Sequence, residues 1–70
     1  MSLSMVDLNE TKTISKILGS DKTKSRLYDL GFVEGTEVSI VNKLNGNLIV
    51  NIKNSRIALD KKLAYQILVE

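Results

Sequence analysis

The sequence contains no cysteine, histidine, proline or tryptophan. Without cysteine, neither a disulfide nor a thiolate metal site can support a small core. Without histidine as well, a Ser–His pair, an imidazole general base and a tetrahedral Cys/His zinc site are all excluded. The carboxylates and lysines that remain show no catalytic spacing, so the sequence predicts a protein that is not an enzyme and has no cofactor.

Long apolar runs and a strong charge of one sign are also missing. No stretch approaches the roughly 20 residues that cross a bilayer, and the N-terminus lacks a secretory signal pattern. We therefore expect a cytoplasmic protein that does not insert into a membrane. Ten Lys and Arg residues against eight Asp and Glu give a net charge of +2. The bases are scattered, so nucleic-acid binding is not expected.

The residues that are present suit one small folded domain. The chain has 70 residues, of which 43% are hydrophobic, and this combination is typical of a single globular unit. We expect one domain over residues 5–70. Residues 1–4 precede a second methionine and are expected to be an appended lead-in or a disordered N-terminus.

The first half of the chain predicts a strand, a helix and two turns. Residues 12–18 are rich in β-branched side chains, but Ile14 and Ile17 fall on opposite faces unless a bulge realigns them. Ser20 or Asp21 can cap a helix over about residues 21–30. Gly31 then occupies the left-handed C′ position of a Schellman cap, in which Phe32 contacts Leu27, and Gly35 occupies the positive-φ position of a type II turn.

The second half predicts three more strands. A three-residue loop closed by Gly46 pairs Ile40 with Val50 and builds one apolar face, whereas a two-residue loop would place apolar residues opposite polar ones. A second turn at Asn54-Ser55 keeps that face apolar. A helical turn near residues 61–65 and a last strand follow. The order predicts an all-β fold: a small SH3-like, five-stranded, partly open barrel with an inserted helix, and a small OB-type barrel is the alternative.

One longer motif points to a family. The run from Arg26 to Val38, RLYDLGFVEGTEV, resembles the signature of the ferrous iron transport protein A (FeoA) family, which has Arg-Leu, Leu-Gly and Gly-Thr-x-Val at these spacings. The tail matches as well, so the resemblance covers residues 5–70. Glu34 stands where the family usually has proline, and Asn54 where it usually has glycine. Both substitutes still suit a turn.

The resemblance implies a function in iron uptake. It implies an accessory protein that binds and modulates a membrane ferrous-iron transporter carrying a cytoplasmic G-protein domain. Partner contact is expected at five residues: the helix face of Lys22, Arg26 and Tyr28, the loop residue Leu44, and Ile49 on the outer face of its strand. Ordinary solvated or scattered surface residues are the alternative explanation.

Other activities have weaker support in the sequence. Asp7 with Glu10, and Glu34 with Glu37, could form weak oxygen sites for divalent cations, but solvated surface acids are the favoured interpretation, and we assign no metal site. A nucleic-acid-binding barrel and a weak divalent-metal-binding regulatory domain are the alternative functions. The shortage of aromatic residues disfavours stacking on bases. Exposed edge strands would allow a homodimer.

Overall fold

The computed structural model of residues 1–70 is built on one antiparallel sheet with the strand order β4-β3-β2-β1-β5. This confirms the predicted all-β, five-stranded architecture with an inserted helix. No helix is long and apolar enough to span a membrane. A 3-10 turn at Leu3–Met5 precedes the elements, which are β1 (Thr11–Ile17), α1 (Asp21–Asp29), β2 (Glu37–Leu44), β3 (Asn47–Ile52), β4 (Ser55–Asp60), α2 (Lys61–Tyr65) and β5 (Ile67–Val69).

Strand β1 bends the sheet into a barrel. Its residues 11–13 pair with β2, whereas residues 14–17 pair with β5. The register shifts between Ile14 and Lys16, and Ile14 and Ile17 are both buried. The bulge that the sequence required therefore exists. The bulge directs both isoleucine side chains into the same core, because the extra residue reverses the alternation of faces along the strand.

Helix α1 begins and ends as the sequence predicts. The Ser20 side chain accepts a hydrogen bond from the Thr23 backbone N–H at 3.2 Å. At the other end, Gly31 has φ +102°, and the Phe32 N–H donates to the Leu27 carbonyl at 2.9 Å. Leu27 and Phe32 are both fully buried. The Schellman cap thus fixes where the helix stops and directs Phe32 into the core.

Two of the predicted turns need correction. Between β2 and β3, Ile40 pairs with Val50 as predicted, but Leu44 is not in the loop because it pairs with Asn47. The loop is the two-residue turn Asn45-Gly46, with φ +48° and +83°. A register shift between Ile40 and Asn42 leaves Val41 as the extra residue. The bulge does what the three-residue loop was expected to do, and it keeps the apolar faces aligned.

The turn between β3 and β4 also lies one residue earlier than predicted. It consists of Lys53 and Asn54, with φ +48° and +66°, and Ile52 pairs with Ser55. The predicted pairing of Ile52 with Ile57 is therefore wrong. The new register differs by two residues, so the same face stays apolar, and Val50 lies opposite Ile57. The turn over residues 33–36 is confirmed by the Thr36 N–H donating to the Val33 carbonyl at 3.1 Å.

The structure differs from the sequence expectation at the N-terminus. Residues 1–4 lie inside the fold, because Leu3 is fully buried and the Val69 N–H donates to the Met1 carbonyl at 2.8 Å. Ser2 forms an isolated antiparallel bridge with Leu68. This segment completes the core, whose fifteen buried hydrophobic residues are Leu3, Val6, Ile14, Ile17, Leu27, Phe32, Val38, Ile40, Leu48, Val50, Ile52, Leu59, Ala64, Ile67 and Val69.

Candidate interaction surface

A row of polar side chains crosses the outer face of the sheet. Thr11 pairs with Ser39, Ser39 with Asn51, and Asn51 with Arg56, so four neighbouring strands each contribute one residue. None of the four is buried. They line a groove of about 380 Å³. We call these four residues the polar row.

Charged residues lie at the end of the groove nearest to α1. Glu37 and Lys53 both line it, as does Arg56 of the polar row. A Cβ placed on Gly31 would lie 3.8 Å from Cδ of Lys53. The C-terminal cap of α1 and the β3–β4 turn are therefore neighbours. The groove offers hydroxyl, amide and charged groups of both signs, which suits a polar partner surface rather than an apolar one.

Two of the five residues predicted to contact a partner, Leu44 and Ile49, lie on this face, but only Ile49 lies beside the polar row. It is half-buried, lies two residues from Asn51 on β3, and is paired with Ala58. Leu44 is 54% exposed but lies at the far end of β2. Glu37 and Leu44 are the two ends of that strand, a separation of about 23 Å. The structure does not bring Leu44 together with the groove.

The helix residues also separate. Lys22 and Arg26 are four positions apart and share an exposed face of α1. Tyr28 lies two positions beyond Arg26, which is about 200° around the helix, so it faces the opposite flank. The three residues therefore do not share one face of α1, and their contact with a partner stays a prediction.

Tyr28 is instead part of a contact with the turn that follows α1. Its hydroxyl donates to Glu34 Oε2 at 3.3 Å. Desolvation of the ring, followed by the charge and the hydrogen bond of Glu34, raises the pKa of Tyr28 above its ordinary value of 10.0. The contact joins the helix to the turn that leads into β2.

The acids considered for metal binding do not converge. Glu10 Oε1 accepts a hydrogen bond from the Asp7 N–H at 3.2 Å, and Glu34 contacts Tyr28. The structure contains no group of three or more His, Cys, Asp or Glu residues that could hold a metal ion. Isolated carboxylates of this kind fall short of the ligand number that divalent cations take up.

The sequence interpretation missed the polar row. The pairing of Ser39 with Asn51 follows from the predicted β2–β3 register, but the predicted β3–β4 turn would have placed Ala58 opposite Asn51. The contact of Thr11 with Ser39 depends on how β1 joins the sheet. Single polar residues on separate strands carry no local signal, so only the registers could have revealed the row.

The fold and the groove define a class: a small antiparallel barrel with an exposed polar face. The sequence matches the model of the FeoA domain over residues 1–70, and the chain belongs to the FeoA family. No curated protein matches. The match to the FeoA domain confirms the family that the Arg26–Val38 run indicated.

Solved structures agree with this assignment. The chain is 30% identical to FeoA of Stenotrophomonas maltophilia, covering 100% of this chain and 89% of that one, with a TM-score of 0.88. That protein, complexed with zinc, is described as an SH3 domain protein possibly acting as a ferrous iron transport activating factor. A FeoA-like protein from Clostridium acetobutylicum is 26% identical, covers 100% and 84%, and has a TM-score of 0.91. The SH3-like fold is thus confirmed.

The fold also occurs within larger regulators. A manganese-dependent transcriptional repressor has a TM-score of 0.90 at 17% identity, and the match covers 99% of this chain and 40% of that one. At this identity the likeness concerns the fold alone. The same barrel therefore occurs in proteins of different function, and function depends on the residues at its surface.

Proposed function

We propose that this chain is a cytoplasmic, non-enzymatic accessory protein of ferrous iron uptake. It binds a membrane ferrous-iron transporter that carries a cytoplasmic G-protein domain and changes that transporter's activity. Membership of the FeoA family supports the link to iron transport. The observation that carries the binding role is the polar row, a set of aligned side chains on an uncovered sheet face.

The groove face is the proposed docking surface. It combines Arg56 and Lys53 with the acidic Glu37 and neutral hydrogen-bonding groups, so it can pair with charges of both signs. Half-buried Ile49 supplies an apolar contact beside the row. Interfaces of this polarity are typical of partners that associate and separate, as a modulator of a transport cycle must.

The test is calorimetric titration of the full chain into the transporter's G-protein domain, with GTP hydrolysis measured in parallel. Asn51→Lys places a long charged side chain in the middle of the polar row and should weaken binding at least about tenfold. Lys22→Ala, on the exposed face of α1, is the matched control and should bind like the unaltered protein.

The outcomes separate the surfaces clearly. Equal binding by Asn51→Lys and the unaltered protein would exclude the groove, and weakened binding by Lys22→Ala would transfer the role to α1. No saturable binding by the unaltered chain, and no change in hydrolysis rate, would contradict the proposed partner itself.

A further inference from the structure

Strand β4 has a free edge. The two-residue turn Lys53-Asn54 makes Ile52 and Ser55 a hydrogen-bonded pair, so Ile57 and Leu59 direct their backbone groups toward β3. Every second residue of β4 bonds to β3, and this pattern continues one position past the strand, where the Lys61 N–H donates to the Gly46 carbonyl at 3.0 Å. The residues between them, Arg56 and Ala58, direct their backbone N–H and C=O groups away from the sheet.

The other edge of the sheet is covered, and this contrast identifies β4 as the open one. At β5, Val69 donates to the Met1 carbonyl, and Ser2 bridges Leu68. At β4, the backbone hydrogen bonds formed by turns, caps and loops include none to Arg56 or Ala58, and both residues are exposed. The register of β4 is regular over its whole length. An uncovered, regular edge is a template for a further strand.

We propose that the occupant is β4 of a second copy of this chain, paired antiparallel about a twofold axis at Ala58. In this register Arg56 lies opposite Asp60 of the second copy, and Ala58 lies opposite its own equivalent. The Ala58 pair exchanges two backbone hydrogen bonds, because the outward-facing residues of both strands coincide. At Asp60, the N-cap of α2, the carbonyl accepts within the helix, so the Asp60 N–H is the group that pairs with Arg56. On the inner face, Ile57 lies opposite Leu59 of the second copy. The two sheets join into one.

Charge complementarity selects this register over its neighbours. A slip of two residues places Arg56 or Asp60 opposite Ala58 of the second copy, so both charge pairs are lost. A slip of four residues places Arg56 opposite Arg56 in one direction and Asp60 opposite Asp60 in the other. Directly opposed like charges destabilise a strand pair, whereas opposed unlike charges stabilise it. Asp60 uses Oδ1 to accept from the Leu63 N–H at 2.8 Å, which leaves its second oxygen for arginine. The small Ala58 side chain keeps the axis free of steric hindrance.

The register can be tested with single cysteines, since the sequence contains none. Paired residues at a hydrogen-bonded position have Cα atoms about 5.5 Å apart, within the range that a disulfide spans. Two copies of Ala58→Cys should therefore cross-link on mild oxidation. Ser55→Cys is the control, because Ser55 is exposed at the start of the same strand and its replacement leaves the Arg56–Asp60 pairs intact. Its two copies would be about 20 Å apart, and it should give at least about tenfold less cross-linked dimer.

Sedimentation equilibrium gives an independent measurement without cysteines. The unaltered chain should show a dimer that grows with concentration, because a contact of one short strand is small and reversible. Arg56→Glu opposes Asp60 with a like charge and should weaken dimerisation at least about tenfold. Lys22→Glu makes the same charge change on α1 and should leave it unaltered.

Three results would overturn the inference: equal cross-linking by the two cysteine variants, an unaltered chain that stays monomeric at all accessible concentrations, or Arg56→Glu that dimerises normally. A monomer whose β4 edge is occupied only when transporter is added would assign the edge to that partner instead. This inference does not rest on the proposed function, since both measurements use the isolated chain.

Discussion

At the scale of single residues, the contact between Tyr28 and Glu34 gives the chain a titration signature. Because the folded state raises the pKa of Tyr28, the neutral phenol adds stability that is fully present below the unfolded pKa near 10. That stability is lost as the pH rises through the folded pKa. Between neutral pH and this alkaline range the contact should be insensitive to pH.

Glu34→Gln should lower the pKa of Tyr28, because it removes the negative charge that disfavours tyrosinate. The pKa should stay partly raised, since the desolvation of the ring is unchanged. Tyrosinate absorbance during an alkaline titration measures this shift, with Tyr65→Phe as the background so that one phenol is observed. An identical titration curve for Glu34→Gln would contradict the contact.

Lys53 is the other residue with an individual consequence. Its φ of +48° places a long side chain in the left-handed region, where asparagine is better tolerated. Lys53→Asn should raise the free energy of unfolding by about 0.5–1 kcal/mol. Denaturant melts measure the change. Lys43→Asn, at an exposed position inside β2, should give no gain, and equal gains from both variants would show that the turn is not the cause.

At the scale of elements, the end of α1 depends on one glycine. Gly31→Ala should cost about 1–2 kcal/mol, because alanine resists φ +102°. The added Cβ meets only Lys53 Cδ, at an ordinary 3.8 Å, so the cost is conformational and not steric. Thermal and denaturant unfolding measure it. Ser25→Ala on the exposed side of α1 is the control, and an equal midpoint for both variants would refute the cap.

The turns show how far local sequence can predict an element. The Schellman cap was predictable because Leu27, Gly31 and Phe32 lie within six residues and each position has a stereochemical requirement. The loop at Asn45-Gly46 was predicted one residue too long, and the turn at Lys53-Asn54 one residue too late. The bulge at Val41 absorbs the extra residue of the first, and the second changes its register by two residues, so the hydrophobic pattern fits the predicted and the observed turns equally well.

At the scale of the whole molecule, the N-terminal segment completes the barrel. Leu3 is fully buried, whereas Met5 of the same turn is 61% exposed. Leu3→Ala should therefore lower the free energy of unfolding by about 2–5 kcal/mol, through lost burial and the cavity that remains. Met5→Ala should change it by less than about 0.5 kcal/mol. Chemical denaturation of the two variants measures both changes. Similar losses of unfolding free energy would show that Leu3 does not belong to the core.

The sequence by itself determined the fold class, the helix with both its caps, the apolar faces of the strands and the family. The first three follow from short-range stereochemistry and from the period of the apolar residues, both of which act within a few positions of the chain. The family follows from the resemblance of the Arg26–Val38 run to the family's signature. The tertiary structure decided the rest. Strand registers aligned the polar row from four separate strands, helix geometry moved Tyr28 away from Arg26, and closure of the sheet drew Leu3 into the core. Such contacts join residues distant in sequence, and neither composition nor periodicity encodes which of them meet.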